Sequence, residues 1–340
     1  MIASDNYKDG ASKSNNDGDV CELNDMLQNM NTAEDNKDII SVCANCGKED
    51  ANNMCNKCKQ VKYCNAVCKK IHKKKHKKDC EEYVRLADER TAELHDVELF
   101  QQPPPYHEDC PICFILLPTL ETGYKYKSCC GKVICSGCSY APVYDHQGNK
   151  VDNQKCAFCR TPHPPSNDEA VKRLNKLVEK NDPRAIYNLG CYYYHGANGF
   201  PQDYKKALKL YHRAAELGHA GAHCNIGSIF YNGEGFEIDK NKANHYYEVA
   251  AMRGDIVARY CLGNNEWREG NFDRALKHYM IAVTGGYNDS LEAIKQLYSI
   301  GDATKEDYTK ALQLYQEYLG EIKSSQRDKA AAACEDHRYY

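Results

Sequence analysis

No stretch of this 340-residue chain holds the run of about 18 apolar residues that a membrane-spanning helix needs. A secretory signal core is missing too, because Met1 to Gly10 is polar and acidic. The chain is expected to work inside the cell, in the cytoplasm, the nucleus or both, with no membrane partner. Excess charge of one sign is also lacking. The 45 Lys and Arg against 48 Asp and Glu leave a formal net charge of -3, which nominates no partner. There is no phosphate loop, no serine nucleophile motif and no methyltransferase signature, so an enzyme with chemistry of its own is not expected.

What the chain has is cysteine, 20 in all. In a reducing compartment these stay as thiols, so their clustering calls for metal or core packing rather than disulfides. Seven lie between Cys43 and Cys80 and eight between Cys110 and Cys159, while Cys21, Cys191, Cys224, Cys261 and Cys334 stand apart. Composition divides the rest. Residues 1–40 are rich in Asn, Asp, Ser and Lys and bury too little to order, so a disordered tail is expected. Residues 83–106 read as a linker, in which Val84, Ala87, Thr91, Leu94 and Val97 recur at helical spacing before Pro103, Pro104 and Pro105 impose an extended segment. A second proline cluster, Pro162, Pro164 and Pro165, precedes a helical and internally repetitive region.

The first cluster runs Cys43-x2-Cys46-x8-Cys55-x2-Cys58-x5-Cys64-x3-Cys68-x7-His76-x3-Cys80. Two intervening residues let both thiolates of a pair reach one tetrahedral Zn²⁺, and three place ligands a helical turn apart. Eight ligands imply two ions. The segment is too short for a sufficient core, so zinc, contributing about 10–16 kcal/mol per ion in small finger peptides, must organise it. His72 competes with His76 as the imidazole ligand. The pattern, Tyr63-Cys64-x3-Cys68 and His76-Lys77-x2-Cys80 above all, resembles the MYND zinc finger over residues 41–82. That resemblance implies interleaved sets, Cys43, Cys46, Cys64 and Cys68 on one ion and Cys55, Cys58, His76 and Cys80 on the other. It also implies a proline-rich peptide as partner. Residues 69–78 carry seven lysines, read as a solvated helix face; without interleaved aromatics for base stacking, nucleic acid is not an expected partner.

The second cluster, within residues 107–164, runs Cys110-x2-Cys113-x15-Cys129-Cys130-x4-Cys135-x2-Cys138-x17-Cys156-x2-Cys159, again eight thiolates for two ions. Cys110-Pro111-Ile112-Cys113, Cys130-Gly131-x3-Cys135-x2-Cys138 and Cys156-x2-Cys159-Arg160 resemble a RING domain. The resemblance implies crossed sets, Cys110, Cys113, Cys135 and Cys138 on one ion and Cys129, Cys130, Cys156 and Cys159 on the other. Neighbouring side chains normally diverge, so Cys129 is the open member. A RING implies recruitment of a ubiquitin-charged conjugating enzyme, with Ile112 in an apolar groove and Arg160 hydrogen-bonding both partners, and no catalytic nucleophile.

From residue 167 to 320 the chain repeats. Ala207, Ala243, Ala275 and Ala311 recur at spacings of 36, 32 and 36, Leu189-Gly190, Ile226-Gly227 and Leu262-Gly263 mark the first helix of each unit, and Gly218, Gly254 and Gly286 end the second. Each unit is a helical hairpin. Tyr193, Phe230 and Tyr298, with Tyr211, Tyr247, Tyr279 and Tyr315, are expected as core between hairpins. The third unit has a shortened loop, Trp267 to Asp273, and the fourth replaces the Leu-Gly pair by Ile294-Lys295. The pattern resembles Sel-like repeats, relatives of the tetratricopeptide family, with three full units and a degenerate cap, and implies an unidentified client protein. Asn167 to Lys180 is expected to cap the front of the stack and residues 321–340 to form a C-terminal tail.

The expected fold class is therefore multi-domain, two small zinc-stabilised modules followed by an all-α helical-hairpin solenoid. The expected function is a zinc-dependent protein-interaction protein acting as a RING-type ubiquitin ligase with clients on its repeats. The alternatives are a non-catalytic adaptor and, behind it, a chromatin or nucleic-acid-associated regulator.

Overall fold

The computed structural model describes residues 42–49, 51–101, 108–119, 121–141 and 155–340. The expected N-terminal tail, Cys21 and the triple proline lie outside the described residues. The chain divides into two compact units between Glu93 and Leu94.

The first unit begins with a two-stranded antiparallel ribbon, β1 (Asn53–Met54) against β2 (Lys62–Tyr63), followed by a 35-residue helix α1 (Ala66–Phe100). Its core is made of metal-ligand side chains with Ala51 and the fully covered ring of Tyr63, and Val61 and Val84 pack against them. Among the described residues nothing else apolar closes it. The anticipated connector helix is thus continuous with the ligand-bearing helix. Most of the apolar stripe on it faces solvent, since Ala87, Thr91, Leu94 and Val97 are exposed.

The second unit holds the end of α1, the second cysteine module and the helical hairpins. The module consists of a 3₁₀ turn (Glu121–Gly123), the antiparallel pair β3 (Tyr124–Lys127) and β4 (Lys132–Cys135), and a short helix α2 (Ser136–Tyr140). Helix α3 (Asn167–Glu179), capped by Ser166, buries Leu174 and Val178 at the front of the stack. Four hairpins follow: α4 (Pro183–His195) with α5 (Tyr204–Glu216), α6 (Ala220–Asn232) with α7 (Lys240–Met252), α8 (Ile256–Glu269) with α9 (Phe272–Thr284), and α10 (Asn288–Ile300) with α11 (Lys305–Ile322).

The small residues of the repeat have a direct steric cause. A Cβ placed on Gly190, Gly227 or Gly263 would lie 2.7, 2.7 and 2.5 Å from the ring of Tyr211, Tyr247 or Tyr279 on the paired helix. Those three tyrosines are buried, so glycine on the first helix is what admits the ring of the second. Gly218, Gly254 and Gly286, with φ of 92°, 87° and 81°, reverse the chain after each second helix, a conformation costly for any residue with a Cβ. The third hairpin is well formed although its connection has shrunk to Gly270-Asn271 and its second helix lacks the side-chain cap that Asp203 and Asp239 supply earlier. Of the aromatic set, Phe230 is buried, Tyr193 and Tyr315 are half-buried, and Tyr298 is exposed, stacked on Tyr308. Tyr298 is not core, because among the described residues no later helix covers it.

Residues 321–340, expected to trail as a tail, are instead folded. Helix α12 (Ser325–Ala333) packs on α2, and a 3₁₀ turn (Glu335–His337) leads to a buried Tyr339. The fully buried guanidinium of Arg327 donates to the carbonyls of Leu116 (2.7 Å), Ile322 (2.7 Å) and Ile115 (3.2 Å). Gly137 on α2 has no room for a side chain, its Cβ position lying 2.8 Å from the backbone nitrogen of Arg327. The backbone amide of Thr119 donates to the Tyr318 hydroxyl and its side chain to the carbonyl of Gly285. On another side of the module, Glu108 pairs with Arg184 of the first hairpin at 2.7 Å. The module is therefore fastened both to the front and to the back of the repeat stack.

The end of α1 is docked as well. Leu99 is buried in the repeat core, Arg259 donates to its carbonyl from beneath, Asp96 pairs with Arg274, and the Phe100 ring lies 4.7 Å from that of His278.

Candidate metal centres

Four of the cysteine pairs fold into the same knuckle. In Cys43–Cys46, Cys55–Cys58, Cys110–Cys113 and Cys156–Cys159, the amide of the residue after the second cysteine donates to the carbonyl of the first, at 2.8, 3.1, 2.9 and 3.0 Å. That residue takes a left-handed conformation each time: Gly47 (φ 72°), Lys59 (58°), Phe114 (56°) and Arg160 (60°). Only glycine adopts it freely, so three knuckles carry backbone strain of about 1 kcal/mol or more. Metal binding offsets it, because the turn aims both sulfurs at one point.

The knuckles assemble into four groups whose ligand atoms lie within 4.8 Å of one another: Cys43, Cys46, Cys64 and Cys68; Cys55, Cys58, His76 and Cys80; Cys110, Cys113, Cys135 and Cys138; Cys129, Cys130, Cys156 and Cys159. All the sixteen ligand candidates read from the sequence are brought together. With Zn–S bonds of about 2.3 Å, a tetrahedron has S···S edges of about 3.8 Å. The observed edges are Cys46–Cys64 3.7 Å, Cys64–Cys68 3.6 Å, Cys46–Cys68 3.7 Å, Cys55–Cys80 3.7 Å, Cys113–Cys135 3.8 Å and Cys129–Cys159 3.4 Å. A disulfide would need about 2.05 Å. The donor set fits Zn²⁺, and the MYND finger and cysteine tetrads together are compatible with several zinc ions.

In the first module, α1 lines up Cys68, His72, His76 and Cys80 at steps of four. His76 Nε2 lies 3.3 Å from Cys58 Sγ, whereas His72 Nδ1 is 3.2 Å from the Tyr63 hydroxyl. His72 thus serves as a partner for Tyr63, stacked on His76 with centroids 5.7 Å apart. In the second module the β3–β4 turn carries Cys129 and Cys130, closed by the amides of Cys130 and Gly131 on the carbonyl of Lys127. Gly131, at φ 70°, lets the chain turn sharply enough for both neighbours to face Cys156 and Cys159. Cys135 caps α2, its sulfur accepting from the Cys138 amide at 3.3 Å.

Thiols packed this closely cannot all ionise unaided. Burial pushes Cys43 and Cys55 up, but backbone amides around each outweigh it and bring both down to about 6. Their neighbours move the other way, Cys64 to about 12 through its contact with Cys68, and Cys80 to about 11 through burial and Cys55. In the second module Cys159 falls to about 6, amides and the Thr161 hydroxyl overcoming burial, while burial and nearby thiols raise Cys130 to about 11. A divalent cation removes the conflict, so metal binding must release protons.

The two partner-facing residues read from the sequence lie in knuckles of the second module. Ile112 is 36% exposed and Arg160 is exposed. Two large apolar side chains on the same knuckles that sequence reading did not single out are exposed as well, Phe114 at 78% and Phe158 at 43%. Large apolar residues within or directly after a Cys-x2-Cys pair were the available signal, since a knuckle has no interior for them.

Comparison with known proteins fits this architecture. Residues 43–80 match the MYND finger family, and residues 183–219, 220–255 and 293–317 match the Sel1 repeat. The first module is a MYND finger, and the first, second and fourth hairpins are matched as Sel1 repeats. The third hairpin, sequence-degenerate in its loop and cap, is passed over, while the fourth, expected as the degenerate unit, is matched. Among curated relatives, the ERAD-associated E3 ubiquitin-protein ligase component HRD3B of Arabidopsis thaliana is 32% identical over 28% of this chain and 15% of its own length. Chitin synthase regulatory factor 4 of Schizosaccharomyces pombe is 26% identical over 45% of this chain and 24% of its own. The chain thus spans a quarter or less of those two relatives. Among solved structures, a Sel1 repeat protein from Oxalobacter formigenes is 28% identical over 44% of this chain and 64% of its own, with a TM-score of 0.40. MYND finger and Sel1 repeats together imply protein partners, as in an interaction scaffold that carries a zinc-finger module.

Proposed function

We propose that on this scaffold the second cysteine module is a RING-type recruiter of a ubiquitin-charged conjugating enzyme, acting inside the cell, while the Sel1 repeats hold the client. The observation that carries the reading is the set of exposed groups on its knuckles. Ile112, Phe114 and Phe158 offer apolar surface and Arg160 a cation. Apolar contact with a guanidinium beside it would hold a thioester-bearing partner in one geometry, which is the contribution such a module makes to transfer. The module needs no nucleophile, and each zinc would be closed by four protein ligands, leaving transfer chemistry to the recruited enzyme. One relative sharing part of this sequence is itself named a ubiquitin-protein ligase component.

A second reading, an adaptor without transfer activity, is favoured by one feature. Helix α2 is covered by α12, with Gly137 against the Arg327 backbone, so this part of the module already has a partner within the chain. In either reading the MYND finger is proposed to take a proline-rich peptide. Autoubiquitination by the zinc-loaded chain with a panel of conjugating enzymes decides between them. Transfer lost in Ile112→Ala/Arg160→Ala, with zinc content unchanged, supports the recruiter. Absence of transfer in the wild type leaves the adaptor, and transfer surviving both substitutions overturns recruitment through these knuckles.

A further inference from the structure

Between first helices of successive repeats, polar side chains normally cross from one helix to the next. Asn225 on α6 donates to the Tyr187 hydroxyl on α4, and Arg268 on α8 donates to the Tyr231 hydroxyl on α6 at 2.7 Å, its guanidinium 5.7 Å from the ring centroid. Other aromatic residues of the first helices also carry a cation from within the chain, Lys206 over Tyr193 and Lys242 over Phe230. The third space breaks the series. Among the described residues no hydrogen bond or ion pair joins α8 to α10, and no cation lies over Tyr260 or Trp267.

The reason is one residue. Trp267 stands four positions after Gly263 as Tyr231 stands four after Gly227, and the place corresponding to Arg268 on the next helix is taken by Ile300, which is exposed. What remains is a trough of about 250 Å³ between α8 and α10, lined by Tyr260, Asn264, Trp267, Asp289, Glu292 and Gln296. Asn264 accepts the Tyr279 hydroxyl proton through its oxygen at 2.7 Å, which leaves its NH₂ as a donor in the trough. Among the described residues Glu292 is met only by Lys295 one turn on at 3.1 Å, with both side chains more than half exposed, an exchangeable surface pair.

The geometry points to this trough as a binding site for a cationic side chain, arginine or lysine, presented by an extended basic segment of a client protein. The aromatic faces of Trp267 and Tyr260 attract the cation, Asp289 and Glu292 supply the counter-charge, and the amides of Asn264 and Gln296 can bond the segment's backbone. The partner's cation takes the role that Arg268 plays one repeat earlier. This deepens the client-capture part of the reading above and rests on it, independently of whether a conjugating enzyme is recruited.

Trp267 is the only tryptophan in the chain, so its fluorescence reports on the site directly. The zinc-loaded full chain would be titrated with a Gly/Ser peptide carrying spaced arginines and with the same peptide carrying glutamines. The arginine peptide should give a saturable change that weakens with salt, and the glutamine peptide none. Asp289→Asn/Glu292→Gln should weaken binding about tenfold or more, and Ile300→Arg, which supplies the missing cation internally, should also block it. Thermal melting of the variants checks that the repeats remain folded. Equal responses to both peptides, undiminished binding by the charge-neutralised variant, or undiminished binding by Ile300→Arg would each overturn the inference. Autoubiquitination, read separately, would be untouched by that failure.

Discussion

The two cysteine modules use the same knuckle, the same left-handed closing residue and the same four-ligand clusters, yet they are supported differently. The MYND finger rests on its ligands, the Tyr63 ring, Ala51 and the first turns of α1. The second module is bonded to its own C-terminus through Arg327, Thr119 and Tyr318, and to the first hairpin through Glu108 and Arg184. Similar ligand clusters thus serve two ends: in one module they are the core, in the other they shape a wedge that surrounding helices also hold.

The largest test of that difference is metal removal. Chelation should abolish hydrogen-exchange protection throughout residues 43–80, because about 10–16 kcal/mol per ion is then missing from a segment without another core. Repeat helices α4 to α9 should stay protected. Protection persisting in the finger after complete zinc loss would break the comparison.

Next in size is Arg327→Met. It takes a donor from three carbonyls, of which that of Ile115 keeps the Cys110 amide, and should cost about 2 kcal/mol or more. Exchange should rise in residues 108–141 and 322–340, with the finger unaffected. An unchanged exchange profile in the second module would mean that the C-terminal helices do not support it.

Acid should separate the units by mechanism. Burial pushes His278 down to about 3 and His219 to about 4, and nearby arginines add to both shifts. Both are held neutral in the fold, so the unfolded chain binds more protons below its own histidine pKa of about 6.5. Their stabilising contribution is therefore full above about pH 6.5 and is lost as pH falls toward their folded values, for a total of a few kcal/mol. The finger instead loses metal as protons compete for its thiolates. A His278→Phe chain should show a flatter fall in the repeat melting temperature between about pH 6 and about pH 4. An unchanged slope would remove His278 from the account.

The smallest effect is expected at Thr119→Val, which loses the side-chain bonds to Gly285 and Tyr318 for about 1 kcal/mol. Combined with Arg327→Met, it should add less than its separate cost, since both release the same helices. Strict additivity would argue against a single fastening.

The metal tetrads and the hairpins were legible because ligand chemistry and steric fit leave few residue choices. Cys-x2-Cys spacing, the His76–Cys80 step, and the Gly190, Gly227 and Gly263 positions opposite buried tyrosines all leave local traces. The C-terminal packing left none. Arg327 and Arg338 look like ordinary polar residues, yet their partners Leu116 and Thr122 lie 211 and 216 positions earlier. The docking of Leu99 was hidden for a related reason, since the visible apolar stripe on α1 is mostly solvent-facing and the one buried leucine lies off it. The His72–His76 choice needed the Tyr63 hydroxyl, which spacing alone does not place. Phe114 and Phe158 were visible as residue types, but their exposure follows from knuckle geometry.

The central claim, that two modules each hold two zinc ions in crossed sets, is tested most directly by native mass spectrometry of the full chain. The account predicts four zinc ions, falling by at least one when Cys55→Ser or Cys135→Ser is introduced. Two ions in the wild type, or four retained by either variant, would contradict it.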